Sequence, residues 1–319
     1  MTGIETPTIT DVPMWTAENA FTRIQVAQAD ESSGSALEWL TLHRDELRSG
    51  LAANGAYLLR GFGDEIDTFR QVVASVGGDL LEYSERSTPR TAVGRNIYTS
   101  TDYPADQPIP MHNENSYSHQ WPAVLYFFCH TAAGTGGMTP LADSRAVFRL
   151  LSPATRELFA DGVIYTRKFR DELGLTWQNA FQTDDRARVE EYCRQHNHEY
   201  EWTDDGLRTR HLRPAYVREP VTGDHVWFNQ ANLFHVASLE PEIREAIMEL
   251  GEENLPRNAY LGDGSPIPDE VIEEIESVYA ATNLAMPWTV GDIMLVNNML
   301  MAHGRRPYTG ARRILVAMS

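Results

Sequence analysis

Two residues that suit metal chemistry, His112 and Glu114, are separated by a single position. On an extended segment, side chains two residues apart point to the same face, so one ion is within reach of both. A third ligand has to come from elsewhere in the chain, and His303 is the candidate. Two imidazoles and one carboxylate on one face of an octahedral ion are typical of non-haem Fe(II) oxygenases. The three residues are therefore predicted to hold catalytic iron.

A His-x-Glu pair is a weak signal by itself. With 10 histidines and 45 acidic residues among 319, about one His-x-Asp/Glu pair is expected by chance. A second pair, His43 and Asp45, does occur. It lies in a predicted helix, where residues two apart point about 200° from each other and cannot chelate one ion. His43 is therefore expected at the surface, and the first pair needs support from its surroundings.

Two residues give that support. Arg313 follows His303 by ten residues and opens an apolar stretch. A dicarboxylate co-substrate needs a fixed cation for its far carboxylate, and the planar guanidinium suits bidentate contact. Thr139 offers a hydroxyl directly after a glycine-rich turn. The alternatives are a surface salt bridge for Arg313 and a turn-stabilising hydroxyl for Thr139.

Hydrophobic periodicity predicts the elements that position these residues. Helices are predicted over residues 35–54, 66–76, 153–161, 184–196, 240–253 and 268–282. The clearest strands are predicted over residues 56–61, 123–129, 292–296 and 313–318. Residues 1–35, rich in Thr, Pro, Asp and Ser, are predicted to be an extended arm with little structure of its own. Without a linker or internal repeat, one domain over residues 1–319 is expected, a β core flanked by helices.

Composition excludes several classes of protein. With 42% hydrophobic and 23% charged residues the chain is globular, and a net charge of −18 argues against nucleic-acid binding. Its two cysteines, Cys129 and Cys193, form neither a disulfide framework nor a zinc motif, and fit a reducing, cytoplasmic compartment. We find no signal peptide, and no apolar stretch of about 20 residues that would span a membrane.

Four sequence blocks carry a likeness to a known family: residues 112–117, 136–145, 227–235 and 298–305, the last continuing to the pair Arg312 and Arg313. On these blocks the chain resembles the taurine dioxygenase (TauD/TfdA) family of Fe(II)- and 2-oxoglutarate-dependent oxygenases. Within the family it looks most like hydroxylases of non-ribosomal peptide pathways, such as the syringomycin-pathway aspartyl hydroxylase. The resemblance implies a mainly β fold: a double-stranded β-helix, or jelly roll with a cupin-like core, with flanking helices and helical insertions.

The resemblance also implies roles for individual residues. The iron ligands fall on His112, Glu114 and His303, and the 2-oxoglutarate contacts on Thr139 and Arg313, with O2 as the other co-substrate. Many relatives have aspartate as the carboxylate ligand, whereas Glu114 is shared with the clavaminate-synthase branch. Related halogenases replace this carboxylate with a small residue to admit chloride. Because Glu114 is present, hydroxylation is the expected outcome. The Asp-Asn pair common before the distal histidine is Asn297-Asn298 here, with no expected effect on metal binding.

The implied substrate is an amino-acid side chain, either free or tethered to a peptidyl carrier protein. Candidate contacts are Tyr117 beside the metal strand, the aromatic Phe228, and the cationic pair Arg208 and Arg210. The alternatives are core packing for the aromatic residues and a solvated strand face for the arginines. Oligomeric state is not predicted.

Other functions remain open at this point. A cupin-like lyase or isomerase would use the same ligands with Zn(II) or Mn(II), but would have no use for an arginine ten residues after the distal histidine. A non-catalytic jelly-roll binding module should have lost at least one of the five site residues, and all five are present. Within the oxygenases, desaturation or epoxidation would follow from the same ligand set.

Overall fold

The structure, a computed structural model, describes residues 14–29, 36–77, 80, 92–94, 96–100, 103–170, 174–239, 241–249, 251 and 255–319. The strands are β1 Met14–Glu18, β2 Arg23–Gln28, β3 Ala56–Arg60, β4 Ala92–Gly94, β5 Ile97–Thr99, β6 Ile109–His112, β7 Val124–Thr131, β8 Thr135–Gly136, β9 Leu141–Asp143, β10 Val163–Phe169, β11 Glu199–Thr203, β12 Gly206–Arg213, β13 Tyr216–Arg218, β14 His225–Trp227, β15 Arg257–Leu261, β16 Ile293–Asn297, β17 Met301–Arg305, β18 Tyr308–Thr309 and β19 Arg313–Met318. The helices are α1 Ala36–Asn54, α2 Ile66–Val76, α3 Ser144–Leu150, α4 Pro153–Leu158, α5 Trp177–Phe181, α6 Arg186–Gln195, α7 Ala231–Phe234, α8 Pro241–Met248 and α9 Asp269–Thr282.

A large eight-stranded sheet joins strands from the beginning, middle and end of the chain. Its order is β1-β2-β3-β16-β7-β19-β5-β4, and its pairs are antiparallel except for β2 and β3. The prediction of an unstructured arm over residues 1–35 was wrong for β1 and β2, which form the edge of this sheet; residues 1–13 and 30–35 lie outside the described residues. The strand Arg23–Gln28 buries Ile24 and Val26, which supplies the apolar surface that holds it there.

Each face of the large sheet packs against a different layer, because alternate side chains point to opposite faces. On β7, Tyr126 and Phe128 pack against buried residues of α1 and α2, such as Leu47 and Val72. On the same strand, Leu125 and Phe127 belong to a second cluster that includes residues of the smaller sheet. The two helices thus cover the outer face of the large sheet, and its inner face points toward the interior of the fold.

The smaller sheet, in the order β6-β17-β9, carries the metal-ligand candidates. Along β17, Met301 packs in the cluster with the inner face of the large sheet, and Ala302 packs in a third cluster with α3, α7 and α9. His303, two residues after Met301, therefore faces the large sheet. The site lies in the space between the two sheets.

The remaining strands and helices close the other side of the smaller sheet. A four-stranded sheet in the order β11-β12-β10-β15 contributes Val163, Tyr165 and Ala259 to the third cluster. Two facing sheets with helices outside them make the jelly roll with flanking helices that was expected, and that fold is confirmed by the structural neighbours described below.

Most predicted elements are found within a few residues of their expected ends. The helix over 66–76 matches α2, and the strand over 313–318 matches β19. The helix predicted over 240–253 is shorter, ending at Met248, and residues 240, 250 and 252–254 lie outside the described residues. Both cysteines are buried and free, as expected. None of the described helices combines the length and apolar character required to cross a bilayer.

Candidate active site

The two histidines of the site face each other across paired strands. His303 on β17 is the direct antiparallel partner of His112 at the end of β6, and the centroids of their rings are 4.5 Å apart. The strands approach closely at Gly304, where an added Cβ would lie only 2.7 Å from the carbonyl oxygen of Ile109. Glycine is therefore needed beside His303, because any other residue would force these two strands apart.

Glu114 reaches the same point from the turn that follows β6. Asn115 has a left-handed backbone with φ of 54°, a conformation that asparagine tolerates better than most residues. The carboxylate oxygen Oε2 of Glu114 lies 3.9 Å from Nε2 of His112 and 3.7 Å from Nε2 of His303. Each of the three residues offers a ligand atom, and these atoms all lie within 4.8 Å of one another; the described residues contain no second group of this kind.

The donor set of this cluster fits a divalent metal ion. Two neutral imidazoles and a carboxylate on one side leave the other side of the ion for exogenous ligands. Nδ1 of His112 lies 2.8 Å from the carbonyl oxygen of Pro110, and donation to that oxygen leaves Nε2 free to bind metal. Phe127 packs against His303 with 5.3 Å between ring centroids, and its apolar ring limits where that imidazole can turn.

The turn that carries Glu114 is tied to the connection that precedes β17. Asn298, which is fully buried, accepts a hydrogen bond from the backbone N–H of Glu114 and donates one to its carbonyl, at 2.7 and 2.9 Å. Asn113 donates in turn to the carbonyl of Asn298 at 2.6 Å. The sequence drew attention to Asn298 only as the second residue of the Asn297-Asn298 pair and did not predict its contacts with Glu114.

A cavity of about 980 Å³, including its open mouth, adjoins the metal-ligand cluster. It is bounded on the large-sheet side by Phe127, Ile314 and Val316. Thr139, for which the sequence predicted a contact with 2-oxoglutarate, also lines the cavity and is 4% exposed. The indole Nε1 of Trp288 donates to Oγ1 of Thr139 at 3.2 Å and so fixes the orientation of this hydroxyl. Trp288 is a positioning residue that the sequence did not indicate.

Arg313 does not line this cavity, so its position does not support the contact with 2-oxoglutarate that the sequence predicted. Its side chain is exposed and lies outside the cavity lining, whereas the preceding residue, Arg312, lines it. The Nε of Arg312 donates to the carbonyl of Gly137 at 2.9 Å, which orients the guanidinium beside the turn that leads to Thr139. Burial, helped by the positive charge of Arg305, lowers the pKa of Arg312 to about 10, so the group stays charged at neutral pH.

Arg305, another cation in the cavity lining, is occupied by a loop. Its guanidinium donates to the carbonyl oxygens of Tyr103, Pro104 and Gln107, those to Tyr103 and Gln107 at 3.0 and 2.7 Å. It also lies over the ring of Tyr308, 5.1 Å from the centroid. These contacts make Arg305 an anchor for the loop at the cavity mouth rather than a free anion site.

The two aromatic candidates for substrate contact belong to the core. Tyr117 is 0% exposed and packs against Tyr165 and Phe234, while its carbonyl faces Nε2 of His211 at 2.7 Å. Phe228 is also buried, in edge-on contact with Trp121. Neither residue lines the metal cavity, so the structure favours the alternative of core packing over the predicted substrate contact. The position of Tyr117 next to the metal-ligand motif in the sequence does not predict the direction in which its ring points.

The two arginine candidates lie on another surface. Arg208 and Arg210 are on β12 and line a separate groove. They face acidic residues of the neighbouring strand, Arg208 with Glu201 at 3.8 Å and Arg210 with Glu199 at 3.2 Å. Their place in a separate groove does not support the predicted contact with the substrate and favours the alternative, a solvated strand face.

Comparison with known proteins identifies the class. Residues 22–318 match the family described as taurine catabolism dioxygenase TauD, TfdA family. The chain is 39% identical to the dapdiamide synthesis protein DdaC of Enterobacter agglomerans, covering 92% of this chain and 90% of that protein. It is 29% identical to a clavaminate synthase-like protein of Arabidopsis thaliana, covering 85% and 83%.

Solved structures agree on the fold. The PvcB protein of Pseudomonas aeruginosa superposes with a TM-score of 0.56 at 14% identity, covering 96% of this chain and 90% of that one. The family match over residues 22–318 makes the chain an Fe(II)- and 2-oxoglutarate-dependent oxygenase by class. It belongs to the TauD/TfdA dioxygenase family, as its motifs predicted.

Proposed function

We propose that this oxygenase hydroxylates an unactivated C–H bond of an amino-acid-type substrate in specialised metabolism, releasing succinate and CO2. The observation that carries the proposal is the complete ligand set, His112, Glu114 and His303, beside a cavity lined by Thr139 and Arg312. The name of one relative, a dapdiamide synthesis protein, supports a biosynthetic role. The proposal covers both a free substrate and one presented by a peptidyl carrier protein, and the substrate experiment below compares the two.

Iron and 2-oxoglutarate supply the oxidising chemistry, and the protein supplies geometry. We assign the metal to Nε2 of each histidine and to the Glu114 carboxylate. The far carboxylate of 2-oxoglutarate is assigned to Arg312, whose guanidinium is fixed by Gly137, with the hydroxyl of Thr139 beside it. Phe127, Ile314 and Val316 give the cavity an apolar wall that excludes water.

Glu114 also favours hydroxylation over halogenation. Its carboxylate takes the ligand position that a halide would need, and its backbone is held by Asn298 on both sides. The ligand set is equally compatible with a desaturation or epoxidation outcome, which product analysis separates from hydroxylation. A non-catalytic binding module is disfavoured because its metal ligands would have no reason to converge.

An anaerobic titration tests the class of the site. Adding Fe(II) and then 2-oxoglutarate should produce the weak visible charge-transfer band of the chelate in the wild-type protein. The band should be lost in His303→Ala and kept in His43→Ala, the matched control from the His-x-Asp pair on α1. A band that persists in His303→Ala would remove the metal assignment.

The substrate is tested by oxygen-dependent succinate release. Free amino acids and the same amino acids loaded on a carrier protein are compared, with mass spectrometry of the products. A gain of about 16 Da would indicate hydroxylation, or epoxidation where the substrate carries a double bond. A loss of about 2 Da would indicate desaturation. Succinate release that no member of either set stimulates would contradict the substrate proposal and leave the class in place.

A further inference from the structure

One cation in the metal cavity, Arg257, has no role in the chemistry described so far. It is the first residue of β15, where it pairs in register with Arg167 of β10. Part of its surface is accessible, and it lines two cavities, the one at the metal ligands and a second one beside it. Arg257 thus lies where the two spaces meet.

Arg257 has no anionic partner among the described residues. Its guanidinium lies against the ring of Phe234, with the guanidinium carbon 5.3 Å from the ring centroid. Burial lowers its pKa, and the positive charge of Arg167 lowers it further. A guanidinium in such surroundings is costly to keep charged without a counter-ion, so an anion that reaches it is strongly favoured.

The other arginines of the metal cavity are accounted for. Arg305 is held by three backbone carbonyls, and Arg312 is fixed by Gly137 next to Thr139. Two other cations among the described residues line the second cavity. Lys168 lies 3.2 Å from Asp205, and the guanidinium of Arg167 lies over the rings of Tyr117 and Phe169, 5.7 and 4.5 Å from their centroids. Arg257 is therefore the lining residue that the described part of the chain leaves available for an anion brought by the substrate.

The second cavity gives a bound molecule room beyond Arg257. It is mostly apolar, and it shares Leu233, Leu239 and Arg257 with the metal cavity. A ligand with one end near the metal ligands would pass Arg257 on its way into this space. Its charged group and its apolar part would then each have a matching surface.

We propose that Arg257 is the specificity-determining residue that binds a carboxylate of the substrate, so that the enzyme selects an anionic substrate. The inference rests on the proposed function and deepens it. A single guanidinium matches a carboxylate through two parallel N–H···O bonds, whereas a phosphate dianion would call for a second unpaired cation beside it. The far carboxylate of 2-oxoglutarate is assigned separately, to Arg312.

A binding experiment without turnover tests this role. The protein is loaded with Mn(II) and N-oxalylglycine, an unreactive analogue of 2-oxoglutarate, which fill the metal and co-substrate sites. The probes are the proteinogenic L-amino acids, each paired with its α-carboxamide, which differs in lacking the carboxylate charge. Paramagnetic broadening of probe proton signals by Mn(II) reports binding close to the metal, and titration gives the affinity.

In the wild-type protein, the proton signals of at least one amino acid should be broadened far more than those of its carboxamide. Arg257→Gln should weaken that binding roughly 10- to 100-fold, since a hydrogen-bonded charge pair is lost. Arg257→Lys keeps the charge but loses the two parallel N–H groups, so its affinity should lie between those of the wild type and Arg257→Gln. It replaces Arg257→Gln in the experiment if that variant folds poorly. Arg210→Gln is the matched control, because Arg210 is paired with Glu199 in a separate groove.

Three results would overturn the assignment: no amino acid preferred over its carboxamide, unchanged affinity in Arg257→Gln, or a loss of N-oxalylglycine affinity in that variant. A loss of N-oxalylglycine affinity would assign Arg257 to the binding of 2-oxoglutarate instead, and it would not contradict the proposed function. Failure of the proposed function itself would show differently, as an absent Fe(II)–2-oxoglutarate band in the wild-type protein.

Discussion

Asn298 holds Glu114 by both backbone groups of that residue: its side-chain oxygen accepts from the Glu114 N–H at 2.7 Å, and its side-chain nitrogen donates to the Glu114 carbonyl at 2.9 Å. The same nitrogen also donates to the carbonyl of Pro122 at 3.0 Å. Because the two residues are 184 positions apart, this pair joins the turn after β6 to the connection before β17. The carboxylate ligand is thus placed by a side chain that does not touch the metal position.

Replacing Asn298 with alanine should weaken metal binding by about 10- to 100-fold, the range seen when residues that orient metal ligands are removed. The Fe(II) or Mn(II) dissociation constant measures this directly. Asn297→Asp is the control. The side-chain oxygen of Asn297 accepts from the backbone N–H groups of Met299 and Leu300, and aspartate retains that acceptor. Equal metal affinity in Asn298→Ala and wild type would show that Glu114 needs no such support.

The two adjacent arginines should behave differently. Arg312→Gln should raise the KM for 2-oxoglutarate roughly 10- to 100-fold, because a buried charge-assisted contact with the co-substrate is lost. Arg313→Gln should change it by less than about twofold, since an exposed side chain contributes little. Steady-state kinetics at varied 2-oxoglutarate measure both. A larger effect at Arg313 would restore the expectation drawn from the sequence.

Glu276 should make stability depend on pH. Burial raises the pKa of this carboxyl group, against the opposing hydrogen bond from Asn232 at 2.6 Å. A carboxyl with a pKa above its unfolded value binds its proton more tightly in the folded state. Stability is therefore lost as pH rises from the unfolded pKa through the folded one.

Glu276→Gln removes this charge and keeps an acceptor for Asn232. The variant should melt at a higher temperature than wild type at pH 8, with the difference shrinking as pH falls toward 5. Thermal unfolding across this range is the measurement. A difference that is constant with pH would mean that the ionisation of Glu276 is not linked to folding.

Breaking the ion pair between the partly exposed Arg60 and the buried Asp292 should cost more stability than breaking an exposed ion pair. Two hydrogen bonds, at 2.8 and 2.6 Å, join the guanidinium of β3 to a carboxylate that is 1% exposed. Asp292→Ala should lower the free energy of unfolding by about 1–3 kcal/mol, because the partly exposed guanidinium of Arg60 loses both hydrogen bonds to its charged partner. Chemical denaturation measures the loss.

The matched control is the exposed pair of Arg23 and Glu18, at 2.9 Å. Glu18→Ala should cost no more than about 1 kcal/mol, because solvent screens this pair. If the two substitutions proved equally costly, burial would not be what distinguishes the pairs.

Much of the site was predictable because its chemistry restricts residue types. His112, Glu114, His303 and Thr139 lie together as their types and motifs predicted. Helix α2 and strand β19 followed from hydrophobic periodicity, which reports burial directly.

The choice between Arg312 and Arg313 depended on details that periodicity does not carry. A register shift between Arg313 and Ile314 disturbs the alternation of side chains at the start of β19. The in-and-out pattern of that strand therefore does not show which of the two arginines faces the cavity. Arg257 offered no local signal either. It sits in no motif, and it became a candidate only when the fold placed it beside residues far away in the chain.

The pairing of His112 with His303 places one metal ion across two strands whose register is set by the rest of the barrel. An ion that binds both imidazoles acts as a cross-link of the native state and is absent from the unfolded chain. Its binding energy is added to the free energy of unfolding by mass action. The metal-free protein would then unfold, and become open to proteolysis, more readily than the metal-bound protein.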